Sequence, residues 1–123
     1  MSDPRNWPEW TQELSADLKT LRGGAPEVMK AFSSLALSAL KPNALDGKTK
    51  ELIALAIGIA VHCDDCIAFH VKAALQLGAT REEILETLGM AIYMGAGPSA
   101  MYASHALAAY SQFTETQAAP ETT

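Results

Sequence analysis

The sequence predicts an all-α protein, a compact bundle of about six helices around a central helical hairpin that carries Cys63-x-x-Cys66. Hydrophobic residues make up 49% of the chain but aromatic residues only 7%. Alanine and leucine make up much of the hydrophobic content. Both favour helices, whereas β-branched and aromatic residues favour strands. Apolar residues also recur at helical spacing, and no stretch alternates like a half-buried strand. A chain of 123 residues has the size of one domain.

The first two helices are indicated by apolar spacing and by their ends. Trp10, Leu14 and Leu18 are four residues apart, which predicts a helix over residues 8–21 that ends at Gly23-Gly24. A second helix is predicted from Pro26 to about residue 40, because apolar residues recur along it and Lys41-Pro42 stops it.

The third helix is the most apolar part of the chain. Asp46 can cap its start, and residues 52–61 are apolar on every face, which is typical of a buried helix. We therefore expect this helix to be central, or to be covered by another subunit. A fourth helix is predicted over residues 64–77, with Gly78 as a left-handed cap.

The start of the fifth helix is the best local signal. Thr80 and Glu83 form a capping box, in which the Thr80 hydroxyl accepts from the Glu83 amide and the carboxylate reaches back. Gly-Ala-Gly-Pro at residues 95–98 interrupts the helical pattern, and a last helix is predicted from there to about residue 113. The helical domain is thus expected over residues 8–113, between a flexible start (1–7) and a flexible tail (114–123).

Charge and hydropathy exclude several classes of function. The net charge is -5 without any run of Lys or Arg, so we expect no nucleic-acid partner. The ten-residue apolar run at 52–61 is too short for a bilayer, which needs roughly 20 residues, so we expect no membrane partner. The polar first ten residues do not resemble a signal peptide, and a cytoplasmic location is expected. In that compartment a close cysteine pair is typically catalytic or metal-binding.

The two cysteines and a histidine share a helical spacing. Cys63 and Cys66 are three residues apart, and His70 follows four residues later, so all three share one face if the helix begins at or just before Cys63. A helix N-terminus and a nearby imidazolium both favour thiolate over thiol. They lower the pKa of a cysteine from about 8.5. The spacing therefore predicts a nucleophilic thiol and a pair able to form a disulfide.

Glu51 is the fourth candidate residue of the site. If the third and fourth helices form a hairpin that turns near His62, Glu51 lies about 16 Å and His70 about 10 Å from the turn, at about 1.5 Å per residue. A carboxylate there can reach the imidazole directly or through a water and orient it. The interpretation is a relay from carboxylate to imidazole to thiol.

Less active interpretations stand beside this one. Two cysteines can simply be buried small hydrophobes. Cys63, Cys66, His70 and Glu51 can also supply four zinc ligands, although structural zinc sites usually combine two separated ligand pairs and the second pair is absent. For the remaining histidine, His105, we expect a packing or hydrogen-bonding role.

The order of these residues also carries a resemblance. Glu51 is followed after twelve residues by Cys63, then by Cys66 and His70, and the chain continues as HVKAALQLGATREEILETLGMA. This pattern resembles the AhpD-like branch of the carboxymuconolactone decarboxylase family. The chain is shorter than the members that contain two helical repeats.

The resemblance covers about residues 46–98. It implies an all-helical fold, a trimer or hexamer, and alkylhydroperoxidase or disulfide-reductase activity. By the roles in that branch, Cys66 forms a sulfenic acid, Cys63 closes the disulfide, and His70 and Glu51 relay the proton. The branch that decarboxylates a lactone lacks the cysteine pair, so the family name does not give the activity here.

The resulting hypothesis is a thiol-dependent peroxidase whose cysteine pair cycles between dithiol and disulfide. It would use a peroxide as substrate and a dithiol or protein as electron donor, without a cofactor or bound metal. One alternative is a thiol-disulfide reductase or redox relay, because Asp64 and Asp65 between the cysteines oppose a thiolate. Another is a zinc-stabilised helical module without catalysis. The apolar content predicts a homo-oligomer.

Overall fold

A computed structural model describes residues 5–118 of the chain, and in this part it is entirely helical with no strand. The all-α prediction is thereby confirmed. The helices are α1 (Trp7–Gly24), α2 (Pro26–Leu40), α3 (Gly47–Ala60), α4 (Asp64–Gln76) and α5 (Arg81–Ala118). None of these helices is both long enough and apolar enough to cross a membrane.

Among residues 5–118, the prediction of about six helices is corrected to five. The predicted fifth and sixth helices form one element, α5, whose backbone breaks at Ala96 (φ 60°, ψ -149°). The break lies within the predicted interruption, but the helix resumes at once. Pro98 lies in the first helical turn after the break. The N–H groups of a first turn have no partner within the helix, so proline, which lacks the N–H, fits there and the helix continues without a separate loop.

Local capping fixes three helix ends as predicted. The Asp46 carboxylate accepts from the Thr49 amide at 2.7 Å and starts α3. The Glu83 amide donates to the Thr80 hydroxyl at 3.1 Å, and the Thr80 amide donates to the Glu83 carboxylate at 2.9 Å. Gly78 has a φ of 89° after α4, which is the left-handed conformation that glycine adopts without strain.

The core lies between α3, α4 and α5, with the start of α1 packed onto it. Trp7 is fully buried, and its amide donates to the Gln112 side chain at 2.6 Å. Helix α1 begins at Trp7 and α5 continues to Ala118, while the domain bounds of 8–113 stay a prediction. The remainder of the predicted flexible ends, residues 1–4 and 119–123, lies outside the described residues.

The second helix departs from the predicted compact bundle. None of its fifteen residues, all of them described, is buried in the single chain. Four of its large apolar side chains are between 59% and 74% exposed; they are Val28, Phe32, Leu35 and Leu37. The apolar spacing of α2 predicted a helix correctly, but this face has no partner within the chain.

The apolar run of α3 is buried on one side only. Leu55 and Ile59 are fully buried against the other helices, whereas Ile57 and Val61 are more than half exposed. The helix is thus central, as expected, and also presents an apolar face outward. Burying such a face would be favourable, at about 25 cal/mol per Å² of apolar surface removed from water.

Candidate redox-active site

Cys63 and Cys66 form a disulfide at the junction of α3 and α4, with their Cα atoms 5.2 Å apart. Cys63 is the N-cap of α4, and its Sγ accepts a hydrogen bond from the Cys66 amide at 3.1 Å. The Cys63 amide donates to the Gly58 carbonyl at 2.8 Å and ties the pair to α3. Both sulfurs therefore lie at the N-terminus of α4, where backbone N–H groups favour a negative charge.

Gly58 determines how closely α3 approaches the disulfide. A Cβ at this position would lie 3.1 Å from the Cys66 Cβ, a tight contact that requires Cys66 to shift by a few tenths of an ångström. The sequence interpretation missed this residue. A single glycine inside a long apolar helical run was the available signal, since such a glycine often marks a close approach.

Glu51 and His70 meet across α3 and α4. His70 Nδ1 lies 2.7 Å from Glu51 Oε2, and Glu51 is only 7% exposed. An ionised carboxylate can only accept, so Nδ1 donates to Glu51 and Nε2 remains available for another proton. His70 lies one helical turn after Cys66. The structure thus joins the four predicted residues as two separate pairs, the Cys63–Cys66 disulfide and the Glu51–His70 contact.

A groove runs along α4 beside this pair. Its volume is about 340 Å³, and Glu51 and His70 form part of its wall. The other lining residues are Leu40, Phe69, Lys72, Ala73 and Gln76. Leu40 belongs to α2, so the second helix contributes to the surroundings of the site even though it buries none of its own residues.

Asp64, which lies between the two cysteines in the sequence, makes a second charged cluster. Its Oδ1 lies 2.8 Å from His105 Nδ1, and its Oδ2 lies 3.0 Å from Arg5 Nη1. The Arg5 guanidinium lies over the rings of Trp7 and Trp10, at 4.7 and 4.3 Å from their centroids. Sequence reasoning missed this cluster, because no local pattern links Asp64 to partners on α5 and before α1.

His62 connects α3 to α4 in a left-handed conformation, with a φ of 61°. Its ring stacks on Tyr102 at 4.6 Å between centroids. Tyr102 in turn lies 5.2 Å from the His105 ring. His62 is therefore the turn residue that was predicted, and His105 has the predicted hydrogen-bonding role.

Comparison with known proteins gives the family. The carboxymuconolactone decarboxylase family profile matches residues 26–109. The chain belongs to this family. A family member from Legionella pneumophila, solved in its apo form, is 52% identical with a TM-score of 0.85, covering 88% of this chain and 96% of that one.

Two further relatives come from other bacteria. A Thermotoga maritima family member, for which a role in antioxidative response has been suggested, is 30% identical with a TM-score of 0.80. The match covers 87% of this chain and 92% of that one. An uncharacterized protein of Cupriavidus necator is 43% identical over 96 residues, which is 78% of this chain and 85% of the relative.

Two features of this chain bear on its branch within the carboxymuconolactone decarboxylase family. The all-helical fold and the Cys63–Cys66 disulfide are consistent with the AhpD-like branch. The zinc interpretation has no geometric support among residues 5–118, where no group of three or more His, Cys, Asp or Glu side chains is placed to hold a metal.

Proposed function

We propose that this protein is a thiol-dependent peroxidase of the alkylhydroperoxidase type, in which Cys63 and Cys66 cycle between dithiol and disulfide. The observation that carries the proposal is a disulfide at a helix N-terminus, one turn from His70, whose ring is held by the buried carboxylate of Glu51. This arrangement supplies a nucleophile, a base and a group that orients the base.

The first half of the cycle oxidises the protein. His70 takes the proton of the Cys66 thiol while Glu51 stabilises the imidazolium. The Cys66 thiolate attacks one peroxide oxygen, so that an S–O bond forms and the O–O bond breaks. The alcohol leaves with the proton from His70, and Cys66 becomes a sulfenic acid. The Cys63 thiol then attacks the Cys66 sulfur, which forms the disulfide and releases water.

The second half resets the pair. A thiolate of an external dithiol, or of a protein donor, attacks the disulfide and forms a mixed disulfide. The second donor thiol then displaces the protein sulfur, which leaves Cys63 and Cys66 reduced. The sum is one peroxide and one dithiol converted to one alcohol, one water and one donor disulfide. We expect this cycle in the cytoplasm, where thiol reductants are plentiful.

The test is peroxide-dependent oxidation of a small dithiol by the purified protein. The wild type should turn over with an alkyl hydroperoxide, and Cys66→Ser should fall to the uncatalysed rate. Cys63→Ser should stop after one oxidation and retain a sulfenic acid that a dimedone reagent traps. Ser111→Ala, an exposed change on α5, is the matched control and should keep the wild-type rate. An unchanged rate in Cys66→Ser would refute the assignment.

The alternative is a redox relay with little peroxidase activity. It rested on the two acids between the cysteines, and the pairing of Asp64 with Arg5 and His105 compensates one of them. This pairing weakens the argument that the acids leave the cysteine pair too little activated for a peroxidase. A partner protein trapped by Cys63→Ser, together with no peroxide turnover by the wild type, would instead favour the relay.

We also propose a homo-oligomer, a trimer or hexamer as in the related branch. The support is the apolar face of α2, led by Phe32 at 59% and Leu37 at 74% exposure, with that of α3, where Ile57 is 57% exposed. Contiguous exposed apolar surface of this kind is typical of an interface between chains.

A further inference from the structure

Asp64 presents a problem for any thiolate on Cys63. It is the first residue of α4 and follows directly after Cys63, the N-cap residue, so a carboxylate and a thiol stand on neighbouring residues at the same helix end. A like charge nearby disfavours an anion and raises the pKa of the thiol. A redox motif with this acid therefore needs a compensating positive charge at the same place.

The structure supplies that compensation from two distant parts of the chain. Arg5 approaches one carboxylate oxygen of Asp64 and His105 the other, at 3.0 and 2.8 Å. A guanidinium keeps its proton at any ordinary pH, so the charge of Arg5 is permanent. Trp7 and Trp10 hold the guanidinium in position through cation–π contacts.

The backbone at Arg5 is also fixed. Its carbonyl accepts from the Gln112 amide group at 2.8 Å, and the same side chain accepts from the Trp7 amide at 2.6 Å. Gln112 lies on α5, seven residues after His105. One helix therefore carries His105 and also holds in position the segment that contains Arg5, which brings both partners to Asp64 together.

We propose that Arg5, Asp64 and His105 form a charge clamp that compensates the acid inside the cysteine motif and thereby keeps a Cys63 thiolate stable when the disulfide opens. Arg5 and His105 are positioning residues that act through Asp64. The inference deepens the proposed function, on which it rests, since it concerns the reduced state of the same cycle.

The clamp has a defined consequence for the resetting step. When a donor thiolate attacks the Cys66 sulfur, a bond forms between the donor and Cys66, the Cys63–Cys66 bond breaks, and Cys63 departs with the electron pair. A thiolate of lower basicity departs faster. Compensation of Asp64 therefore accelerates re-reduction, and it leaves the attack of Cys66 on peroxide to the Glu51–His70 pair.

The charged groups around Cys63 come from several elements. Asp64 and the exposed Asp65 belong to α4, Arg5 precedes α1, and His105 comes from α5, while His62 belongs to the connecting turn. His70, which pairs with Glu51, lies on α4 itself, one helical turn after Cys66. A variant that changes one of these groups at a time can therefore separate their contributions.

The test measures the reactivity of Cys63 alone, in a Cys66→Ser background. The rate of iodoacetamide alkylation is measured as a function of pH, and the midpoint of that curve gives the pKa of the Cys63 thiol. Arg5→Met keeps a long side chain that can cover the two tryptophan rings but removes the charge. It should raise the midpoint by about one pH unit. Adding Asp64→Asn to Arg5→Met should return the midpoint to that of the parent. Arg22→Met, an exposed arginine in the last turn of α1, is the control and should leave it unchanged.

Two results would overturn the clamp. One is an unchanged midpoint in Arg5→Met. The other is a raised midpoint that Asp64→Asn fails to reverse, since Arg5 would then act on the fold rather than through the charge of Asp64. Thermal melts of each variant accompany the titration. The assay contains no peroxide, so failure of peroxidase turnover in the wild type and failure of the clamp are separate outcomes.

Discussion

Two carboxylate–imidazole pairs each include a residue of α4, the helix that begins at the disulfide, and they are built differently. Glu51 and His70 lie 2.7 Å apart with the carboxylate almost fully buried, while Asp64 and His105 lie 2.8 Å apart in a half-buried position. Asp64 also contacts Arg5, a cation that does not release its proton. The first pair therefore suits proton transfer and the second suits a fixed charge. Equal distances do not imply equal roles.

The largest expected effect separates the two pairs. His70→Gln and Glu51→Gln should each lower kcat/KM for the peroxide by about 100-fold, the usual contribution of a positioned acid–base group. His105→Gln should change the same constant by less than about threefold, as for a surface substitution of about 0.5 kcal/mol. Steady-state rates with excess dithiol measure all three. Equal losses in His70→Gln and His105→Gln would refute the division of roles.

The sequence predicted the first pair but not the second. Glu51 and His70 lie on consecutive helices, so a hairpin with known rise per residue was enough to bring them together. The partners of Asp64 come from α5 and from a residue before α1. Such long-range contacts leave no periodic signal, because they depend on how the helices pack rather than on where they begin.

The same limit explains the helix count and α2. Caps at Asp46, Thr80 and Gly78 act within a few residues, so their positions followed from the sequence. The outcome at Ala96 did not, since a glycine-rich stretch before a proline is compatible with a loop or with a single-residue break. The apolar face of α2 showed a helix, but the pattern does not say whether its partner is the same chain.

The second prediction concerns that face, which borders the groove of the first pair through Leu40. The wild type should have a mass of several chains by light scattering. Phe32→Glu should reduce the mass, because a charge at a buried interface is costly. Ser34→Glu, an exposed residue on the same helix, is the control for an added charge. A monomeric wild type, or a variant of unchanged mass, would contradict the proposed assembly.

The third prediction concerns the close contact between Gly58 on α3 and Cys66 on α4. Gly58→Ala places a methyl group 3.1 Å from the Cys66 Cβ and should lower the free energy of unfolding by about 1–3 kcal/mol. Gly89→Ala is the matched control, since nothing lies within 4 Å of its added Cβ on α5. It should raise stability by about 0.5–1 kcal/mol. Urea unfolding of the two variants checks both signs, and equal shifts would contradict the close approach.

The smallest effect lies remote from both pairs. The hydrogen bond from Lys48, followed by that from the Thr80 amide, lowers the pKa of Glu83 below its usual 4.5. A lowered pKa in the folded state means that the stabilisation is complete above pH 4.5 and is lost as the pH falls through the lower folded value. The melting temperature of the wild type should fall over this pH range, and the fall should be smaller in Glu83→Gln. The same variant should leave the alkylation midpoint of Cys63 unchanged, and a shift would refute the independence of the two regions.

The central claim is that peroxide itself closes the Cys63–Cys66 disulfide. The most direct measurement counts free thiols in the reduced protein before and after one equivalent of alkyl hydroperoxide, with the intact mass recorded at each stage. We expect two thiols before and none after, with the loss of two hydrogen atoms and full recovery of both thiols on adding a dithiol. Two thiols remaining after peroxide, or a stable gain of oxygen without a disulfide, would contradict it.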